Sequence, residues 1–197
     1  GADAMRRQAL VPLHEFLQGR EMPRLRLLDV ACGTGRFLSF VKDNHPSLPA
    51  IGLDLSPYYL RRAAATLRTW RRTALVQGNA ERIPLADKSC DLVSCLFLFH
   101  ELPRKARVRV ANEIGRVLRP GGRLMFLDSI QRGDAPDLDP LLDYFPLAYH
   151  EPYFTDYTRT GLEGLFRPAG LRPHSSTVCY LSKLAVFHKP RTGRRSG

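Results

Sequence analysis

Leu27-Leu28-Asp29-Val30-Ala31-Cys32-Gly33-Thr34-Gly35-Arg36-Phe37-Leu38 decides the fold, because an apolar run of strand character enters a glycine-punctuated turn that then opens a helix. Gly33 and Gly35 let the backbone approach a ligand and take up conformations that a side chain obstructs, while the unpaired N–H groups of the following helix face the bound molecule. The stretch predicts a nucleotide-type cofactor site. A nicotinamide dinucleotide turn requires a third small residue to pack helix against strand, and Leu38 occupies that position. Two glycines after a strand are equally compatible with an ordinary strand-to-helix turn, so the neighbouring segments decide.

Downstream, Ala50-Ile51-Gly52-Leu53-Asp54-Leu55-Ser56 is a second apolar run ending in a carboxylate, at the spacing of about twenty residues that suits a ribose diol. Then follow Gln77-Gly78-Asn79-Ala80-Glu81-Arg82-Ile83-Pro84-Leu85, Cys90-Asp91-Leu92-Val93-Ser94-Cys95-Leu96-Phe97-Leu98-Phe99 and Val117-Leu118-Arg119-Pro120-Gly121-Gly122-Arg123-Leu124-Met125-Phe126-Leu127-Asp128. This set, in this order, resembles the class I S-adenosylmethionine-dependent methyltransferases, and is most similar to their small-molecule branch of ubiquinone/menaquinone biosynthesis enzymes. The resemblance runs from Leu25 to Lys189. It implies S-adenosyl-L-methionine as cofactor, with Gly33 against the methionine part and Asp29 holding the amino group directly or through water. It further implies Asp54 on the ribose, Leu55 on the adenine face and Asn79 with Ala80 at the adenine edge, while Ala31, Gly35 and Leu96 complete the set. Two departures stand out. Ala31 replaces a frequent glycine, a mild change, and Asn79 replaces a frequent aspartate, whose amide oxygen accepts from the adenine amino group without charge assistance; weaker cofactor binding is expected.

With 197 residues, 44% of them hydrophobic, the chain can bury one sizeable core. A single methyltransferase domain over 1–190 is expected, with an N-terminal helical region at 1–24, a substrate-capping insertion at 128–157 and a basic, disordered tail at 191–197. No apolar run is long enough to cross a bilayer, so a soluble, cytoplasmic protein is expected. The chain starts at Gly1, and a targeting segment upstream of it would not be visible. The four cysteines lack C-x-x-C spacing and partner histidines; they read as buried thiols in a reducing compartment, and no metal site is expected.

The net charge of +11 is carried by arginines, clustered at Arg61, Arg62, Arg68, Arg71 and Arg72, at Arg104, Lys105, Arg107, Arg109 and Arg116, and in the tail. A basic stripe is one footprint of a nucleic-acid partner. A solvated surface is the preferred reading, because Leu60, Ala64 and Leu67, and Val108, Ala111, Ile114 and Leu118, lie opposite the charges as on sheet-covering helices. The chain also lacks the N-P-P-Y and D-P-P-Y signatures of base amino-group methyltransferases, and no cysteine near Phe97 is placed to attack a pyrimidine. A small-molecule acceptor is therefore the expected partner. An RNA methyltransferase of the same fold is the first alternative, and a non-catalytic protein that binds the cofactor is the second.

The pattern predicts helices at Ala4–Gln18, Gly35–Asn44, Pro57–Arg71, Arg104–Leu118 and Arg159–Ala169. It predicts strands at Arg26–Val30, Ala50–Leu53, Ala74–Gln77, Asp91–Leu96, Arg123–Leu127, Ser175–Leu181 and Leu184–His188. Alternation implies a doubly wound, Rossmann-like α/β sheet, mostly parallel. The last two strands meet near Ser182-Lys183, too close for a crossover, and form an antiparallel hairpin that completes seven strands.

Methyl transfer needs alignment and a dry site, with a base only where the acceptor must lose a proton. His100, directly after the Asp91 strand, is the candidate base, with packing at a strand end as the equal alternative. Residues 144–157 hold six aromatics among fourteen residues and suit a small aromatic or lipid-like acceptor, methylated on carbon or oxygen. Tyr149, His150, Tyr153 and Tyr157 are expected to face it, whereas Phe145 and Phe154 are expected to anchor the segment to the core.

Overall fold

The computed structural model describes residues 1–191; the tail expected from 191 onward lies, apart from Arg191, outside the described residues. Seven strands form one sheet: β1 (Leu27–Val30), β2 (Ala50–Asp54), β3 (Thr73–Gln77), β4 (Cys90–Leu96), β5 (Leu118–Ser129), β6 (Arg172–Cys179) and β7 (Ser182–His188). Their order is β3-β2-β1-β4-β5-β7-β6. The first five run parallel, and β7 enters antiparallel between β5 and β6. β1 is buried along its whole length, as a central parallel strand covered on both faces must be, which explains its uninterrupted apolar run. Chain order reverses between β1 and β4, so a crevice opens beyond their carboxyl ends.

Helices α3 (Arg36–Asn44), α4 (Pro57–Leu67) and α5 (Arg104–Val117) follow β1, β2 and β4. One apolar cluster joins α5 to Phe126, Phe166 and Phe187; a second joins α3 and an N-terminal helix to Leu27, Leu92 and Met125. The predicted N-terminal helix is two helices, α1 (Ala2–Gln8) and α2 (Leu10–Leu17), of which only α2 is buried. α4 stops at Leu67, four residues early, and the chain turns into β3 through Arg72 at φ 57. The inner faces are rotated from the expected ones. Ala63 is buried and Ala64 exposed on α4, while on α5 Val108 is exposed and Ala106, Arg107 and Val110 are buried.

The region after β5 departs most from expectation. It holds α6 (Asp139–Tyr149), α7 (Phe154–Thr158) and α8 (Leu162–Phe166), where one helix at Arg159–Ala169 was predicted. Gly161 caps α8, and Pro168 with Gly170 at φ 82 prevents its extension. The hairpin turns at Tyr180-Leu181, two residues earlier than expected, with Tyr180 at φ 55. Among the described residues no helix is long and apolar enough to cross a membrane.

Candidate active site

The crevice beyond β1, β2 and β4 is a pocket of about 640 Å³. Ala31, Gly33, Asp54, Leu55, Asn79, Ala80 and Leu96 all line it. Asp54 is held by its own turn: Oδ2 accepts the Gly33 N–H at 2.8 Å and Oδ1 accepts the Ser56 N–H at 2.9 Å. Each oxygen keeps a further lone pair for a diol. A Cβ on Gly33, at φ +54, would meet nothing within 4 Å, so this is the open side of the turn.

Gly35 is different. It does not line the pocket, and a Cβ there would stand 3.0 Å from Leu67 Cδ1 and 3.3 Å from Ala63 Cβ. Its bareness lets α3 and α4 approach each other, a packing role that needs no contact with a cofactor. Ala31 differs from expectation: at φ 58 it sits in the left-handed region, where a methyl group costs roughly 1 kcal/mol, so replacing glycine there is not mild. Asn79 spends its amide oxygen as the cap of a 3₁₀ turn, accepting the Glu81 N–H at 2.8 Å, and presents both the remaining lone pair and the Nδ2 protons. An adenine edge offers a donor beside an acceptor, so the amide matches it in both senses. Asp29 lies behind the pocket, buried, accepting the Ser94 hydroxyl at 2.6 Å. Burial pushes its carboxyl up to about 7 against the opposing pull of that hydrogen bond.

Arg6 of α1 also lines this pocket and lies over the Phe97 ring at 5.4 Å. The donor set fits S-adenosylmethionine: a carboxylate for a diol, an amide for a purine edge, apolar Leu55 and Leu96 for its faces, an open glycine and a guanidinium for a carboxylate. Beyond Phe97 lies a second, mostly apolar cavity of about 390 Å³, and Phe97 lines both. Phe97 is itself left-handed at φ 57, an unusual state for a bulky residue, which turns its ring from the end of β4 into the partition.

His100, on a 3₁₀ turn just after β4, faces this second cavity. Its Nδ1 meets Asp128 Oδ1 at 2.5 Å. Asp128, fully buried at the end of β5, is held in turn by the N–H groups of Phe99 and Ser129, each at 2.7 Å. Burial pushes the imidazole down, but the hydrogen bond and charge of Asp128, helped by Glu151 and Glu101, outweigh it and leave His100 above its ordinary value. Nδ1 donates to the carboxylate and Nε2 remains available to a ligand. The sequence drew attention to His100 but not to Asp128. The missed signal is a pattern: β1, β2 and β5 each carry an aspartate at the last or next-to-last position of the strand, at Asp29, Asp54 and Asp128.

The four residues expected to face an acceptor do not line the cavity. Tyr157 is buried at 1% exposure, and its hydroxyl donates to Ser129 O at 2.9 Å. Tyr149 and Tyr153 are exposed at 63% and 41%, and His150 is the exposed, left-handed residue ending α6. Phe145 and Phe154, expected only to anchor, do both: they stack at 5.3 Å, pack against Ile130 and Leu142, and form a cavity wall. In an aromatic-rich segment the rings with polar tips stay wet or find a hydrogen bond, and the purely apolar rings gather around the void.

The arginines divide by helix. On α5, Arg104 and Arg107 meet Asp156, Arg109 meets Glu81, and Arg116 meets Glu113 and Asp87. Arg107 is fully buried and also donates to Leu102 O at 2.8 Å, tying α5 to α7. Among the described residues the α4 cluster, Arg61 to Arg72, makes no ion pair. All four cysteines are free thiols; burial pushes Cys32, Cys90 and Cys95 upward, so none of these three is an activated nucleophile.

A family model described as a methyltransferase domain matches residues 28–126. The malonyl-[acyl-carrier protein] O-methyltransferase of Methylococcus capsulatus is 36% identical over 130 residues, covering 64% of this chain and 45% of that protein. The demethylmenaquinone methyltransferase of Lactiplantibacillus plantarum is 35% identical over 127 residues, covering 60% of this chain and 51% of that protein. The chain thus spans about half the length of the curated relatives it matches. Among solved structures, a SAM-dependent methyltransferase from Methanosarcina mazei superposes with a TM-score of 0.71 at 19% identity, over 92% of this chain and 98% of that one, a likeness of fold.

Proposed function

The chain belongs to the methyltransferase-domain family, and from that premise we propose that it transfers a methyl group from S-adenosylmethionine to carbon or oxygen of a small aromatic or lipid-like acceptor. The single observation that carries the reading is the pairing of two cavities across Phe97, one fitted to the cofactor and one apolar with His100 in its wall and Asp128 buried behind it. S-adenosylmethionine supplies an electrophilic methyl on a sulfonium that leaves as a neutral thioether. Asp54 holds the ribose, Asn79 and Ala80 the adenine edge, and Asp29 the amino group directly or through water. His100 Nε2 takes the proton that an acceptor hydroxyl or carbon acid releases, and Asp128 steadies the imidazolium through Nδ1. Phe145, Phe154 and Leu181 exclude water from the acceptor, and residues 128–157 cap it.

The test is transfer of a labelled methyl group to a panel of phenols, quinols and β-dicarbonyl compounds. Transfer that His100→Gln abolishes, while S-adenosylhomocysteine binding survives, supports the reading; transfer indifferent to His100 contradicts the base. A second reading, an RNA acceptor, draws on the unpaired arginines of α4, which with Tyr58 and Thr34 surround a concavity beside the cofactor pocket. It requires RNA binding that falls steeply with salt and weakens in Arg61→Gln/Arg62→Gln.

A further inference from the structure

At the amino ends of the parallel strands, away from the cofactor pocket, a cavity of about 310 Å³ opens to solvent where α2, β5, β6 and β7 meet. Arg20, Arg123, Lys189 and Arg191 line it with His174 and His188, and among the described residues no aspartate or glutamate does. These groups come from distant parts of the sequence, and their places are fixed. The guanidiniums of Arg20 and Arg123 both lie over the Phe16 ring, 4.2 and 5.6 Å from its centroid. Arg123 stands directly opposite His188 across β5 and β7, and the His188 ring lies 6.2 Å from that of His174. Gly121, at φ +85, leaves room for Arg191, whose Nε would stand 3.0 Å from a Cβ there. Lys189 spends its ammonium on Gly115 O and Leu118 O, each at 2.7 Å. Arg20, Arg123 and Arg191 make no ion pair and no side-chain hydrogen bond among the described residues.

Like charges placed opposite one another around a concavity repel, and the field they focus there attracts an anion. The neighbouring acids do not neutralise it, because Glu21 pairs with Arg24 and Glu15 lines an adjoining groove on the other side of His174. Residues 192–197 contain no aspartate or glutamate. The positive field is felt at His174, which burial, Arg123 and His188 hold below its ordinary value against the opposing pull of Glu15. The α4 arginines are also unpaired, but they lie along one helix, whereas these three guanidiniums converge from separate segments. One guanidinium fork already meets two oxygens of a phosphate, so three forks match a chain of phosphates better than a single one.

We infer that this cavity binds a ligand carrying two or more linked phosphate groups, clasped between Arg20, Arg123 and Arg191. The site is separate from the cofactor pocket and the acceptor cavity, and it stands whichever molecule receives the methyl. Nucleotides and lipid diphosphates share the chemistry that it recognises.

The experiment titrates inorganic pyrophosphate, orthophosphate and sulfate calorimetrically, at one ionic strength, into the full chain saturated with S-adenosylhomocysteine. Pyrophosphate is expected to bind roughly tenfold or more tightly than either single anion. Arg20→Gln and Arg191→Gln, each checked by its melting transition and its S-adenosylhomocysteine affinity, should each weaken pyrophosphate by roughly tenfold. Arg61→Gln/Arg62→Gln, which removes more charge but from α4, should change it by less than about twofold. ADP and geranyl diphosphate, titrated in parallel, distinguish a nucleotide from a lipid as the natural source, and tighter binding of either than of pyrophosphate upholds the site. No pyrophosphate binding, binding no tighter than that of orthophosphate, or equal weakening by the α4 variant overturns the inference. Failure of the chain to bind S-adenosylhomocysteine counts against the cofactor reading alone.

Discussion

The pocket assigned to the cofactor and the cavity assigned to the acceptor share Phe97 as a wall, but they are assembled differently. The cofactor pocket draws on the ends of consecutive parallel strands, with each of these contact residues at a strand's last position or within three residues of it: Ala31 and Gly33 after β1, Asp54 and Leu55 at β2, Asn79 after β3, Leu96 on β4. The acceptor cavity collects Met5, His100, Ser129, Phe145, Glu151 and Leu181 from segments scattered over the whole chain. The first is the more polar of the two and belongs to the sheet; the second is almost wholly apolar and belongs to whatever is laid over the sheet. A shared ligand can be read from local motifs because the sheet brings strand ends together by rule. A private ligand is held by contacts that no rule of spacing forecasts.

If the two sites are independent, substitutions on one side should leave the other untouched. The largest expected effect is on the acceptor side. His100→Gln should lower kcat by roughly 10²–10⁴-fold, the range for loss of a general base, with S-adenosylhomocysteine affinity unchanged. His100 must be neutral to accept a proton, so wild-type activity should rise with pH through a value above the ordinary one for histidine. Asp128→Asn should move that limb to lower pH. A limb that stays in place would show that the pair does not set the titration.

Next in size is Arg107→Leu. It removes a buried guanidinium that joins α5 to Asp156, Thr160 and Tyr153 O, and should cost about 3 kcal/mol of stability, seen in the thermal melt. The damage should fall on the acceptor wall, with cofactor affinity of the folded fraction preserved; equal loss at both sites would break the separation.

A third test probes the cofactor side alone. Asp29 is held up to about 7 by burial, so at pH 6 most of it carries a proton, and a cationic amino group brought beside it favours its release. Binding of S-adenosylhomocysteine at pH 6 should free up to about one proton, read by calorimetry in buffers of different ionisation enthalpy. Binding should tighten as pH rises toward 7. Asp29→Asn should abolish the release, and a wild-type chain releasing none would place the amino group elsewhere. Smallest is Ala31→Gly, which relieves the left-handed methyl and should stabilise the fold by about 1 kcal/mol with acceptor selectivity unchanged.

The same contrast explains what the sequence disclosed. All seven strands, their mostly parallel order and the closing hairpin followed from alternation and spacing, and the resemblance implied nine cofactor residues, of which seven line the pocket. Of the other two, Gly35 answers a packing demand from α4, and Asp29 lies one layer behind the surface. Both are properties of the third dimension that a motif does not carry. On the acceptor side only His100 was legible, because it stands next to a strand end. Tyr157 and Phe145 exchanged their expected places because composition reports that a segment is aromatic but not which ring turns inward. Arg107 was counted as surface charge because the acid that holds it, Asp156, lies forty-nine positions away.

The most direct test of the central claim is S-adenosylhomocysteine titrated calorimetrically into the wild-type chain, Asp54→Ala and His100→Gln. One tight site in the wild type, weakened roughly 100-fold or more by Asp54→Ala through lost charge-assisted hydrogen bonds and unaltered by His100→Gln, is the predicted result. No binding by the folded wild-type chain, or equal weakening by both substitutions, would contradict it.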